Sequence, residues 1–390
     1  MDMMKVLNQL LVTLFIFLLI GCQNEEATPI HDLDFVDYAE SVSLPNNLTI
    51  EFDPSTIKSI DKAKSHSVDF MTFNPEIVAS AFLINQHMET ENNAFGIQFH
   101  SNTENESLIV YDGGESFGTA SGLDGGFSYH HDIERNALYS RIASLYTNIP
   151  NTTTQLFEYD LNSDFLTFSD LDFLPYLDAK EEIVEQLTNV GFPELELDVV
   201  FALDEEMMNT HQEKFLEVST EETDSTVFEI SKDDEAYLFF FRQLTNEIPI
   251  INEVWSFNSR DVTDPYEPFI AVLYSESGII HIGATYLYQI LESTEETALI
   301  EEAEALQLII DHYSSIIINQ PTAIESMELN YVVIHGEDNF ELVPSWIFRL
   351  KIADIYEDPI DQSQHDVHSY DYFVINATNG ERINGVKHKQ

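Results

Sequence analysis

Gly-Glu-Ser-Phe-Gly at 114–118 matches G-x-S-x-G, the pattern that presents a serine on a sharp strand-to-helix turn for acyl transfer. The strand it requires is available in Ser107–Asp112, SLIVYD, but the following TASGLDGGF is too rich in glycine to propagate a helix. His131 and Asp132 are the nearest candidates for base and orienting carboxylate to Ser116. No alternation of strands and helices precedes the motif, as an α/β-hydrolase would need, so the stretch reads as a glycine-rich surface loop and no catalytic residue is assigned. A serine hydrolase using Ser116 stands as the alternative. The same loop cannot cradle phosphate as a P-loop does, because G-K-[ST] is missing and no lysine lies between Lys64 and Lys180.

Metal chemistry has three candidate stretches. Asp160, Asn162 and Asp164 open like a calcium loop, yet Phe165 stands where glycine is needed and Leu171 where glutamate is needed, which excludes an EF-hand. His130 and His131 with Asp132, and His365 and His368 with Asp366 and Asp371, pair imidazoles with carboxylates as a divalent metal would require. Polar loop histidines are the commoner explanation, so no metal and no cofactor is assigned. A divalent-cation-binding surface remains the third class of reading.

The elements that would position these groups alternate between β-rich and mixed regions. Residues 45–175 read as a β-rich N-terminal domain, with strands in AFGIQFH and SLIVYDG, a hairpin in LFEYDLNSDFLTF, and one short helix with Asn74 as N-cap and Pro75 at its first position. Residues 176–291 open with a helix whose capping box is Asp178 and Glu181, whose apolar face is Ile183, Val184, Leu187 and Val190, and whose stop is Gly191 and Pro193. Strand-like AYLFFFRQL, IPIINEVWSF and FIAVLYSESGIIHIG follow. Residues 292–390 repeat the order: a helix capped by Ser293 and Glu296 with Leu299, Ala303, Leu306, Ile310, Tyr313 and Ile317 on one face, then the strands ELNYVVI, ELVPSWIFRLKI and YDYFVINA. The expected fold class is α+β, a β-rich domain followed by two helix-plus-antiparallel-sheet modules.

The sole cysteine, Cys22, lies directly after an apolar run, Leu10 to Ile20. Eleven helical residues span roughly 16 Å, about half of a ~30 Å hydrocarbon core, so the run suits a signal-peptide core (1–21) and not a membrane span. Leu19-Ile20-Gly21-Cys22 resembles the lipobox of bacterial lipoproteins, which implies cleavage after Gly21 and a diacylglycerol thioether on Cys22. That places the chain, tethered by acidic residues 22–44 without helical periodicity, on the outer face of the cytoplasmic membrane. Loss of Asp2 and Lys5 with the signal leaves 15 basic and 69 acidic side chains, 15 − 69 = −54, unchanged from the full chain. Such a field repels nucleic acid and anionic headgroups, so the implied partners are the membrane through its lipid and another envelope protein. With 44% apolar residues the chain is no disordered tail, and its length calls for two or three domains.

Pro344 and Trp346 in LVPSWIFRL, followed by Asn376, Ala377, Gly380 and Glu381 in YFVINATNGERI, resemble the C-terminal module of the YycH and YycI family, extracytoplasmic regulators of a cell-wall sensor kinase in Gram-positive bacteria. NEIPIINEVW is similar to strands of PepSY-type modules. The resemblance implies regulatory α+β modules from about Asp178 to Ile383. Those regulators are held by a transmembrane helix, whereas this chain would carry a lipid, so kinase regulation does not transfer with the shape. Read from the residues themselves, Trp346 fills a core beneath a helix, Pro344 marks an edge or bulge, and Asn379-Gly380 makes a turn with positive φ.

Overall fold

The computed structural model describes residues 34–83, 89–93, 96–101, 106–112, 124–131, 138–139, 165–218, 226–251, 268–335, 339–357 and 364–383. The fold is α+β and mostly sheet, with five α-helices among the described residues. In chain order the elements begin with α1 (Phe35–Ser41), β1 (Leu48–Ile50), β2 (Lys62–Ala63), β3 (His66–Phe70) and α2 (Pro75–Phe82). Next come β4 (Glu89–Asn93), β5 (Gly96–Ser101), β6 (Glu106–Tyr111), β7 (Phe127–His130) and β8 (Leu166–Thr167). The middle holds α3 (Tyr176–Asn189), β9 (Leu195–Leu203), α4 (Glu205–Val218), β10 (Ala236–Thr245), β11 (Ile248–Pro249), β12 (Phe269–Ser275) and β13 (Gly278–Thr285). The last part runs β14 (Tyr288–Ser293), β15 (Thr297–Ala298), α5 (Glu302–Ser314), β16 (Thr322–His335), β17 (Phe340–Glu357), β18 (Gln364–Asn376) and β19 (Arg382–Ile383).

The strands make two large sheets. The first orders ten strands as β4-β5-β6-β7-β13-β12-β10-β9-β8, with β11 also on β10. Its centre, β10, is AYLFFFRQLT, and the run of aromatics follows from burial on both faces. Tyr237, Phe239 and Phe241 pack with Ala179, Ile183 and Leu187 of α3, while Ala236, Leu238 and Phe240 pack with Met208 of α4. The second sheet orders β1-β16-β17-β18-β19, with β3 between β14 and β17. Its apolar core includes Leu306, Ile309 and Ile310 of α5, Tyr38 and Ala39 of α1, and the fully buried Trp346 and Phe348 of β17.

Residues 45–175, expected as a separate β-rich unit, supply strands to both sheets: β1 and β3 join the second, β4 to β8 the first. The physical reason is edge satisfaction. β13 and β17 would otherwise leave a row of unpaired N–H and C=O groups, which β7 and β3 cover. The sheets are also stitched to each other. Gln243, buried, donates to the Tyr288 carbonyl at 2.6 Å and accepts from its N–H at 2.9 Å, and Ile251 N–H reaches Tyr331 O at 2.9 Å.

Several local expectations need correction. Asp178 sits inside the first turn of α3, whose N-cap is Pro175 with no side-chain cap bond, so its carboxylate acts on the helix dipole and not as a cap. The C-terminus forms as expected, with Gly191 at φ 101° and bonds from Phe192 N to Leu187 O at 3.1 Å and Gly191 N to Thr188 O at 3.0 Å. Ser293 belongs to β14 and α5 starts only at Glu302, because 294–301 is spent on a turn and on β15, which pairs with β2. Residues 35–41, assigned to the tether, form α1 with Asp34 as N-cap; seven residues are too few to display a period. The strand β9 and the helix α4 were not anticipated. At α2 the expectation holds: Asn74 Oδ1 accepts from Glu76 N at 3.0 Å and Ile77 N at 3.1 Å, with Pro75 at the first helical position.

Candidate functional site

The titratable groups that the fold brings together lie where β6, β7 and β13 run side by side. Strand alternation points Ser128 and His130 to one face of β7, and Phe127 and Tyr129 to the other, where they join the core under α2 and α3. His130 stands directly opposite His281 of β13. Their Nδ1 atoms are 3.0 Å apart and their ring centroids 4.4 Å, so one ring donates and the other accepts, in opposite tautomers. The Ser128 hydroxyl lies 3.0 Å from His130 Nε2. Burial pushes the His281 imidazole down to about 3, aided by His130 and opposed by a hydrogen bond to the Tyr129 backbone. Burial also lowers His130. Both rings are therefore neutral at pH 7.

His131 belongs to the opposite face. Its Nδ1 is 3.3 Å from the Glu106 carboxylate, which is almost wholly buried and also accepts from Tyr129 Oη at 3.2 Å. Burial and that carboxylate hold the Tyr129 phenol protonated, well above its ordinary range. Consecutive histidines on a strand diverge by construction, so His130 and His131 do not converge on one ion. Asp132 lies outside the described residues, as do Ser116 with the whole GESFG loop and the Asp160, Asn162 and Asp164 stretch. Phe165 and Leu171, the residues that break the calcium pattern, are buried in the core. In β18, His368 and Asp371 occupy positions of opposite parity and so opposite faces; the side chains of His365 and Asp366 lie outside the described set. Among the described residues no three His, Cys, Asp or Glu side chains gather as metal ligands would. Cys22 and Gly21 fall outside them too.

The residues of the family-like motif hold the second sheet together. Trp346 has no exposed surface and its indole N–H donates to Ile300 O at 3.1 Å, just ahead of α5. Pro344 sits where one edge of β17 changes partner, from β3 at 340–342 to β18 from Ser345 onward, so its missing N–H costs no ladder bond. Its carbonyl accepts from Ala377 N at 2.9 Å. Asn376 Oδ1 accepts from Thr378 N at 2.8 Å, and Gly380 at φ 74° closes the turn onto Glu381. These are architectural roles.

A further histidine marks the junction of the sheets. His66, 2% exposed, places Nδ1 2.8 Å from Ser293 Oγ and Nε2 3.1 Å from Tyr331 Oη, and burial lowers it. Beside this junction Arg242 of β10 grips Glu328 of β16 with two bonds of 2.7 and 2.9 Å, and Glu196 of β9 with one of 2.8 Å. Sequence reading singled out neither His281, Glu106, His66 nor Arg242. The available signal was a polar residue inside an apolar strand, as in GIIHIGAT and AYLFFFRQLT.

No protein-family profile and no curated protein matches the chain. The fold is similar to the crystal structure of an uncharacterized protein from Eubacterium rectale, with a TM-score of 0.59 at 14% identity over 88% of this chain and 92% of that one. At that identity the likeness is one of fold alone.

Proposed function

We propose that the protein is a lipid-anchored lipoprotein on the outer face of a bacterial cytoplasmic membrane, non-enzymatic, which binds or regulates another envelope component. Its helix-plus-antiparallel-strand units at 176–291 and 292–390 are read as modules of the YycI and PepSY type. One observation carries the address: Leu19-Ile20-Gly21-Cys22 after an apolar run too short to span, ahead of a chain with no other cysteine. Among the described residues no helix is long and apolar enough to cross a membrane, and this reading takes acyl chains on Cys22 as the anchor. Arg242, His66, Glu106 and Trp346 each serve packing or pairing of strands, so this reading gives none of them a catalytic role. Fractionation of a Cys22→Ala variant tests the address: release from membranes, or an unprocessed precursor, is expected. Fully cleaved, membrane-bound variant would sink it.

A second reading has one specific observation behind it. Ser128, His130 and His281 form a hydroxyl–imidazole–imidazole chain with the order of a nucleophile, its base and an orienting group. In acyl transfer the Ser128 hydroxyl would attack a carbonyl and pass its proton to His130 Nε2. The third member argues against it, because a neutral, buried imidazole stabilises the resulting imidazolium far less than the carboxylate of a Ser-His-Asp triad. Labelling by a fluorophosphonate is expected to fail. Labelling abolished by Ser128→Ala, and retained by Ser116→Ala, would replace the non-enzymatic reading by hydrolase chemistry.

A further inference from the structure

Along most of its length β18 is the outer strand of the second sheet. It has thirteen residues and pairs with β17 without a register shift from Gln364 to Asn376. On its other side β19 covers only Val374 and Ile375. Two bonds fix which way its backbone groups point: Asn376 N–H reaches outward to Glu381 O at 2.9 Å, and Ala377 N–H points back to Pro344 O at 2.9 Å. Alternation then directs the N–H and C=O groups of Gln364, Asp366, His368, Tyr370 and Tyr372 outward. Tyr372 N–H donates to the Asp371 carboxylate at 2.8 Å, and among the described residues no neighbouring strand pairs with any of the five.

Native sheets blunt such edges with short strands, bulges, prolines or lysines. Three other edges here follow that rule: β1 has three residues, β8 has two, and β14 is bulged between Ile290 and Glu292. β18 has no bulge, no proline and no lysine. Arg349 and Lys351 of β17 stand opposite Tyr372 and Tyr370, but β18 and the sequence around it add only negative charge. No lysine or arginine occurs between Lys351 and Arg382, while Asp354, Glu357, Asp358, Asp361, Asp366 and Asp371 all lie there. A second copy, itself at −54, is repelled from this edge, and a cationic strand is drawn to it.

We propose that the open edge of β18, Gln364–Tyr372, is a strand-addition site for an extended, lysine- or arginine-rich segment of another envelope protein. The inference rests on the binding role above and names its place and the partner's chemistry. The guest's main chain would continue the hydrogen-bond ladder of the second sheet, and its cationic side chains would be drawn by the chain's net charge of −54.

The test uses the whole mature chain with Cys22→Ala and a fluorescent peptide of alternating lysine and valine. Anisotropy should show saturable binding, and hydrogen exchange should slow within Gln364–Tyr372. The same peptide N-methylated at alternate residues should bind roughly tenfold more weakly, because it cannot complete the ladder, and a glutamate–valine peptide should not bind. Asp371→Lys should weaken binding without lowering the melting temperature. Equal affinity for the N-methylated peptide would mean mere attraction to an acidic surface and would overturn the proposal. Protection elsewhere in the chain would do the same. So would binding that appears only after residues 384–390, with Lys387 and Lys389, are deleted, since the chain's own tail would then be the occupant. Failure of the address reading is separate, because it shows in fractionation of the Cys22→Ala protein and leaves peptide binding untouched.

Discussion

Replacing Arg242 by methionine removes a cation from between the two sheets while keeping most of its apolar volume. The guanidinium side chain is 14% exposed and meets Glu328 at 2.7 Å, Glu196 at 2.8 Å and Asp198 at 3.7 Å. Breaking a fully buried pair costs about 3–5 kcal/mol, chiefly because the orphaned charge stays desolvated. The carboxylates here are 46%, 42% and 31% exposed, so water recovers part of that loss, but three acids are left facing one another. The expected loss for Arg242→Met is about 2 kcal/mol. Glu328→Gln leaves Arg242 with Glu196 and Asp198 and should cost about 1 kcal/mol, and the double variant should return a coupling of about 1 kcal/mol. Burial by itself raises the Glu328 carboxyl, and the hydrogen bonds and charge of Arg242 outweigh it, so the group titrates below an ordinary glutamate. A depressed carboxyl contributes stability above its unfolded value, about 4.3, that disappears as pH falls through the lower folded value. Urea unfolding of the four proteins at pH 7 and pH 3.5 measures all of this. A cycle with no coupling at pH 7, or a coupling that survives unchanged at pH 3.5, would refute the account of Arg242 as the electrostatic clamp between the sheets.

Two further outcomes follow from the same structure. The β10–β11 turn holds Asn246 at φ 50° and Glu247 at φ 67°, the left-handed pair of a type I′ hairpin, where glycine is the preferred second residue. Glu247→Gly should raise stability by about 0.5 kcal/mol, the relieved strain exceeding the added chain entropy, and an unchanged or lower urea midpoint would contradict it. His281 and His130 have folded values below the unfolded 6.5, so the unfolded chain binds more protons and stability falls as pH drops from 6.5 towards 3. A His281→Phe variant should therefore lose less melting temperature than the parent between pH 7 and pH 5, and a parallel loss would mean that the pair is not responsible.

How much was legible beforehand depends on the range of the physics. The close of α3 at Gly191 and the Asn74-Pro75 start of α2 are decided within a few residues by capping bonds and by the conformational freedom of glycine, so their signals are local. The same holds for the strands at 236–245 and 340–357, whose apolar runs state their burial. The Ser293–Glu296 pattern has the same local form as a true cap and misled, because β14 claims Ser293, and β15 the residues just after Glu296, for partners more than two hundred positions away, at β3 and β2.

The amino-acid order by itself determined the α+β class, the places of α2 and α3, the central apolar strands and the −54 charge, because each follows from propensity, period or a sum over side chains. Only the tertiary structure decided which strands share a sheet, and with them every polar cluster. His130 meets His281 across 151 positions and His66 meets Tyr331 across 265. Alternation tells a strand which side chains to bury, but it does not say which unpaired edge its backbone will satisfy. That choice is made by competition among all the edges in the folded chain, so Pro344 could be recognised as a break in a ladder while the change of partner that makes it harmless could not.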